Sequence, residues 1–408
     1  MRILFLSDNF PPEVNAPASR TFEHCREWVG QGHEVTVITC FPNFPHGKVY
    51  DGYKNQLRGI ERIEGINIVR VWSYISANSG FAKRILDYSS FMISSIFTSF
   101  RLGRHDIIVG TSPQFFTVVA ALVISKLKST PYVFELRDIW PESIRAVGAM
   151  KDSFILNFLE RIELILYQKA SQIISVTNSF KTNLVARGIS SAKIMIVRNG
   201  VDVVRFFPQL KDQSIVRNLN LADTFNIGYI GTHGLAHALE TIIDAAEIMS
   251  SMPSTYYQRI RFILIGSGAN KSSLIDYAKK KDLSNIIFLE SVPKERVVAY
   301  WSILDLAIVH LKKTPLFEAV IPSKIFECMA MGIPILHGVQ GESAELIRDE
   351  QVGDIFEPEN AQALVDSICR LYDDPLQRDK LRHNCLKAAR KYDRAIAANR
   401  MLKFLESV

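Results

Sequence analysis

Apolar and polar positions along this chain change period again and again, from short continuous apolar runs to spacings of three and four residues. Residues 3–6, 33–39, 67–71, 106–110, 132–136, 173–176 and 193–197 read as buried strands with helical patterns between them. The pattern resumes at 225–230, 261–265, 286–289, 305–309 and 335–336. Strands alternating with helices predict parallel βα units, so two such series predict an α/β chain of two Rossmann-like domains. Weak periodicity over 206–223 places the linker there. The expected domains are therefore 1–205 and 206–389. The amphipathic segment at about 390–408, apolar through Ala395, Ala398, Met401, Leu402 and Leu405, packs back on the first. From Pro358 onward the pattern is helical, and no internal repeat is visible.

Two helical patterns carry more apolar surface than the rest. Residues 113–127 are apolar nearly all round, which fits a helix buried on a sheet. Residues 81–102 are aromatic-rich, with Lys83, Arg84, Arg101 and Arg104 at their ends. That helix either packs in the core or lies on a membrane surface.

The stretch 321–336, IPSKIFECMAMGIPIL, concentrates the candidate chemistry. Pro322 suits the first turn of a helix, and Ser323 can meet the unpaired N–H groups there. Lys324 adds a cation where the helix dipole already favours an anion. Glu327 lies one turn on and can reach the same ligand edge. Gly332 and Pro334 then end the helix. The residues allow two readings, a nucleotide-binding device or an ordinary amphipathic helix with a Lys–Glu pair on its wet side. Glycine turns at Gly231-Thr232-His233-Gly234 and Gly266-Ser267-Gly268 follow two strands, and such turns bring backbone N–H groups close to phosphate. His237 is expected on the solvent side of a helix over 235–249.

In the first half, strand-end loops at 9–18, 42–48 and 137–147 share one sheet edge, where ligands of open α/β sheets bind. They carry Glu13, Asn15, His46, Arg137, Asp138, Trp140 and Glu142. Glu13, Asn15, His46 and Arg137 are cleft-facing by position and polar. The loop FELRDIWPES is read either as reactive carboxylates facing a cleft or as a surface ion pair above a core tryptophan.

At 408 residues, with 48% hydrophobic and 22% charged, the composition is that of a soluble two-domain protein. A net charge of +6 without a Lys/Arg block argues against nucleic acid and fits an anionic ligand or an anionic membrane. The five scattered cysteines, with no CxxC pair, read as reduced thiols of a cytosolic protein. No signal peptide, membrane span or metal-ligand spacing is apparent. No cofactor or metal is expected.

GHEVTVIT at 32–39, RNGVD at 198–202 and the EA/MG-type stretch around Glu327 and Gly332 together resemble the retaining glycosyltransferases of family 4, over nearly the whole chain. FELRDIWPESI and IPSKIFECMAMGIPIL resemble, more narrowly, the WbuB-like enzymes of O-antigen and capsule synthesis. The resemblance implies the GT-B architecture, two Rossmann-like domains with parallel sheets facing across a central cleft. It implies transfer of an N-acetylated deoxyhexosamine, typically N-acetyl-L-fucosamine, from a UDP-sugar to a polyprenyl-diphosphate-linked sugar at the cytoplasmic face of the inner membrane. Glu327 matches the second glutamate of the E-x7-E motif, which holds the ribose. Ser323 and Lys324 match the triplet facing the diphosphate, and Gly231 to Gly234 match the phosphate loop. Asp138 lies where the family presents an acidic or histidine residue beside the reacting sugar. The first motif glutamate falls at Ala319, with Glu318 its neighbour, and the family's usual Arg/Lys pair in and after the phosphate loop is missing. Lys324, Asp138 and Glu318 are the catalytic candidates. A UDP-sugar 2-epimerase of the same architecture and a non-catalytic sugar-nucleotide-binding scaffold stand as alternatives.

Overall fold

The computed structural model describes residues 1–44, 47–75, 81–139, 154–293 and 295–408. The chain forms two compact units, Met1–Asn199 with Arg394–Val408, and Gly200–Asp393.

The first unit is built on an eight-stranded sheet. Its strands are β1 (Arg2–Leu6), β2 (Glu34–Cys40), β3 (Arg58–Ile63), β4 (Ile66–Val71), β5 (Ile107–Thr111), β6 (Tyr132–Leu136), β7 (Gln172–Ser175) and β8 (Ile194–Ile196). They lie in the order β3-β4-β2-β1-β5-β6-β7-β8, parallel except for the antiparallel β3–β4 pair. The order reverses between β1 and β5, which makes their carboxyl ends the place for a ligand. Ile3, Phe5, Val35, Val37, Ile107, Val109 and Val133 pack with Trp28 and with Ala398, Met401, Leu402 and Leu405 of the helix Arg394–Leu405. Trp28 Nε1 donates to the Ala398 carbonyl at 2.9 Å, so the returning helix is hydrogen-bonded into this core.

One turn of the helix Ala16–Gly30 anchors both places where the chain crosses between units. Arg20 donates through Nε to Glu135 at 2.8 Å, and through its other nitrogens to Val197 O, Arg198 O and Asn199 Oδ1 at 3.1–3.2 Å. Glu23, three residues on in the same turn, accepts from Arg394 where the chain returns.

The second unit has six strands, β9 (Phe225–Ile230), β10 (Ile260–Ile265), β11 (Ile286–Leu289), β12 (Leu306–His310), β13 (Ile335–Gly338) and β14 (Gly353–Ile355). All pair in parallel, in the order β11-β10-β9-β12-β13-β14, with the reversal between β9 and β12. Apolar residues fill both faces of this sheet. Ala307 and Val309 join one core while Leu306 and Ile308 join the other, as a parallel sheet covered on both sides requires.

Three expectations change here. Residues 206–223 are not a linker: Phe206, Ile215, Val216 and Leu221 are buried in the second unit, and 213–218 form a short helix capped by Asp212. The crossings lie instead at Asn199 to Gly200 and Asp393 to Arg394. The helix expected over 235–249 is interrupted, because Ala238 takes a left-handed conformation (φ 43°) between a short turn at Leu235–His237 and the helix Glu240–Ser250. Residues 41–59, read as one long loop, end in the edge strand β3.

Candidate active site

In the second unit the sheet reversal is bracketed by two backbone loops and one lysine. The loop after β9 and the loop after β10 are laced together. His233 N–H donates to Ser267 O at 2.9 Å, and Asn270 N–H donates to His233 O at 3.0 Å. Only glycine permits this approach. A methyl on Gly266 would stand 1.8 Å from the Gly231 carbonyl oxygen, and one on Gly268 would stand 2.4 Å from that of His233.

Tyr229, at the end of β9, is the hub of the site. Its hydroxyl donates to Thr232 O at 2.8 Å, which shapes the glycine turn. Lys324, first residue of the helix Lys324–Met331, lays its ammonium over the ring at 3.7 Å from the centroid. The imidazoles of His233 and His237 pack against the same ring at 5.9 Å. Lys324 Nζ and both ring nitrogens of His233 are sealed from solvent without a hydrogen-bond partner, as is His237 Nδ1. Burial pulls the Lys324 ammonium down to about 8, against the opposing pull of Cys328 and Glu327. Burial also lowers His233 to about 4, with Lys271 and Lys324 adding to it, and His237 to about 3. Both imidazoles are therefore neutral near pH 7. His310 fixes the turn from behind, donating from Nδ1 to the His237 carbonyl at 2.8 Å and accepting Glu359 N–H on Nε2 at 3.0 Å. Trp301 Nε1 donates to Glu327 Oε2 at 3.2 Å, which orients that carboxylate one turn beyond Lys324. A buried ammonium that no anion hydrogen-bonds is costly, and a diphosphate would supply that partner.

In the first unit, Ser112 at the end of β5 accepts the backbone N–H groups of Arg137 and Asp138 at 2.8 and 3.3 Å. This ties the β6 loop to the sheet reversal. Glu13 is spent on the fold, since its two oxygens accept the N–H groups of Phe10, Asn43 and Phe44 at 2.8–3.2 Å. Asn15 caps the helix Ala16–Gly30 through Ala18 N–H and donates to Asn9 Oδ1 at 2.6 Å.

Residues 18–205 match the family described as Glycosyltransferase Family 4, and residues 211–392 match Glycosyl transferases group 1. The chain carries a family 4 glycosyltransferase domain followed by a group 1 glycosyltransferase domain. It is 26% identical over 383 residues to a protein of Escherichia coli strain K12 named as a colanic acid biosynthesis glycosyl transferase, WcaI, covering 90% of this chain and 91% of that one. Among solved structures, sucrose-phosphate synthase from Thermosynechococcus elongatus superposes with a TM-score of 0.78 at 16% identity, over 100% of this chain and 98% of that one. Anabaena Alr3699/HepE in complex with UDP and glucose gives 0.72 at 16% identity over the whole of both chains. At these identities the structural likeness speaks for the fold, two α/β domains with parallel sheets of the GT-B type.

Within the group 1 domain, Gly231, Thr232, His233, Gly234, Gly266, Ser267, Lys324 and Glu327 fall around the sheet reversal. Ser323 stands at the helix start, where its hydroxyl makes no capping bond. Glu318 is exposed at the end of the helix Pro315–Glu318, with Gly341 pressed against its backbone. His237 is not the solvent-facing helix residue the pattern predicts, because the left-handed turn at Ala238 folds it onto Tyr229. Within the family 4 domain, His46, Trp140 and Glu142 lie outside the described residues. Sequence reasoning missed Tyr229, Trp301 and Lys271, whose half-sealed ammonium donates to Leu289 O at 2.9 Å and pairs with Glu290. Lys271 opens a helix three residues past a glycine turn, a signal that the pattern did contain.

Proposed function

We propose that this glycosyltransferase moves an N-acetylated deoxyhexosamine, N-acetyl-L-fucosamine, from a UDP-sugar to a polyprenyl-diphosphate-linked sugar in surface-polysaccharide synthesis, with retention at the anomeric carbon. The observation that carries the reading is the sealed, unpartnered Lys324 ammonium beside the laced glycine loops. Breaking the anomeric bond leaves charge on the β-phosphate. Lys324, the N–H groups at 231–234 and 266–267, and the helix start at Ser323 would receive it. Glu327, steered by Trp301, would take the ribose diol. Glu318 and Asp138 would supply carboxylates at the sugar, and Arg137 would meet the acceptor, as the sequence expects of His46, with Glu13 and Asn15 shaping the loop at 9–18. The leaving-group charge is assigned to protein groups, with no divalent ion. UDP bound to HepE and the names of WcaI and of the Bacillus subtilis teichuronic acid protein TuaH, 23% identical over half of each chain, support the donor and pathway class.

A membrane-borne acceptor fits the helix Phe81–Ser99. It buries Phe91 with Ser95, Thr98 and Ser99 but exposes Leu86, Ile93 and Phe97, and Phe100 just past its end, at 49–65%, near exposed Lys83, Arg101 and Arg104. No helix among the described residues is long and apolar enough to cross a membrane. An amphipathic face with basic flanks suits the headgroup region of an anionic bilayer.

The test is UDP release with a panel of UDP-sugars, with and without a short lipid-diphosphate-GlcNAc acceptor. Acceptor-dependent release, strongest with UDP-N-acetyl-L-fucosamine, is the expected result. Sugar isomerisation without acceptor would overturn the reading.

A further inference from the structure

The helix Ala16–Gly30, strand β6 and the helix Arg394–Leu405 bring three guanidinium groups together inside the family 4 domain. Arg20 is saturated by Glu135 and by three oxygens of 197–199. Arg394 is paired with Glu23. Arg137 is different. Its backbone is pinned by Ser112, but Nε and Nη1 are sealed from solvent and bonded to nothing. Glu135, the carboxylate beside it, gives Oε1 to Arg20, and its Oε2 is sealed without bonding the Arg137 nitrogens.

Among the described residues, Arg137 faces one carboxylate, Glu135, and two other guanidinium groups, Arg20 and Arg394. His24, in the same layer, adds no charge: burial and the three arginines hold its imidazole neutral, well below the usual histidine range. Arg137 itself, lowered by burial to about 10 against the pull of Glu135, stays charged at pH 7. A buried donor left unpaired keeps the full cost of losing its water. A guanidinium presents paired N–H groups that match two oxygens of one phosphoryl group.

We propose that Arg137 is the centre of an anion site in the family 4 domain that takes a phosphate or diphosphate ester. The site lies at the carboxyl end of β6, next to Ser112 at the end of β5, on the sheet edge where ligands of this fold are held. It rests on the sugar-transfer reading and gives its acceptor side a chemical handle, the diphosphate to which the acceptor sugar is attached. The donor's diphosphate is the other source of the same chemistry.

Calorimetric titration of inorganic diphosphate into the full-length protein, first alone and then saturated with UDP, separates the two. If the acceptor supplies the anion, UDP-saturated protein binds a further equivalent of diphosphate. Arg137→Gln then weakens it at least tenfold while UDP affinity stays within twofold. If the donor supplies it, UDP abolishes diphosphate binding and Arg137→Gln weakens UDP itself. Arg137→Lys, which keeps the charge with fewer donors, should fall between wild type and the glutamine variant. Unfolding midpoints give an independent reading, since a guanidinium kept for a ligand can be replaced by methionine with no loss, or a gain, of stability. Unchanged UDP and diphosphate binding in Arg137→Gln, or a large loss of stability in Arg137→Met, would overturn the proposal. Lys324→Ala tests the donor reading separately, because it should weaken UDP and leave the Arg137 site intact.

Discussion

The Lys324 ammonium lies over the Tyr229 ring, 3.7 Å from its centre, and finds no hydrogen-bond partner among the described residues. Burial lowers its pKa from the ordinary 10.5 to about 8. A diphosphate would restore the charge, so UDP binding at pH 8.5–9 should take up a proton. Titration in buffers of different ionisation enthalpy will measure that uptake, which Lys324→Met should abolish. UDP affinity should fall as pH rises through 8. Stability of the unliganded protein runs the other way. The unfolded chain keeps this proton up to about 10.5, so the Lys324 contribution rises between pH 8 and 10.5. Absence of proton uptake at pH 8.5 would count against the diphosphate role.

Trp301 Nε1 and Glu327 Oε2, 3.2 Å apart, make a second testable pair. Trp301→Phe removes the donor and leaves most of the buried ring. Loss of one hydrogen bond to a carboxylate is worth about 1.5–3 kcal/mol, or roughly ten- to a hundredfold. If Glu327 reads the ribose diol, the loss should fall on UDP and spare 2′-deoxy-UDP. Equal losses on both would show that Trp301 matters only for packing.

Gly268→Ala should cost at least about 3 kcal/mol in unfolding free energy and with it most UDP affinity, since its methyl would stand 2.4 Å from the His233 carbonyl oxygen. Gly188 is the control. It also has a positive φ, 87°, but nothing lies within 4 Å, so Gly188→Ala should cost only the backbone penalty of about 1–2 kcal/mol. Urea unfolding of the two variants, with UDP titration, makes the comparison.

Arg20→Met should destabilise the family 4 domain by about 3–5 kcal/mol, because Glu135 would be left buried without its ion-pair partner. Adding Glu135→Leu should recover part of that loss in a denaturant titration. Failure to recover any would mean that the bonds to 197–199, rather than the ion pair, carry the contribution.

Most strands were legible because both sheets are covered on both faces and their strands are continuous apolar runs. Lys324 was legible too, since Pro322 and Gly332 mark out its helix. β3 was not: as an exposed antiparallel edge strand, Arg58–Ile63 carries charge at alternate positions and reads as loop. β14, three residues long, offers too little pattern. By pattern Tyr229 and Trp301 are indistinguishable from core aromatics, and both are buried. What distinguishes them is a cation on one ring and a carboxylate at the other's nitrogen, contacts set by strand order between residues 95 and 26 positions apart. Periodicity along the chain carries no trace of such pairs. Residues 206–223 misled for the opposite reason, because Phe206, Ile215, Val216 and Leu221 are buried singly, without a repeat.

The unit Met1–Asn199 is completed by Arg394–Val408, and that has a consequence for the order of events during translation. Domains generally fold as they leave the ribosome, the N-terminal one first. Here the nascent first domain lacks Ala398, Met401, Leu402 and Leu405 until the whole second domain has been made. Trp28 and the apolar faces of β1, β2 and β5 stay uncovered for that interval, and Glu23 waits for Arg394. The group 1 domain, continuous from Gly200 to Asp393, is thus the first that can close its core, although it is the second to be synthesised.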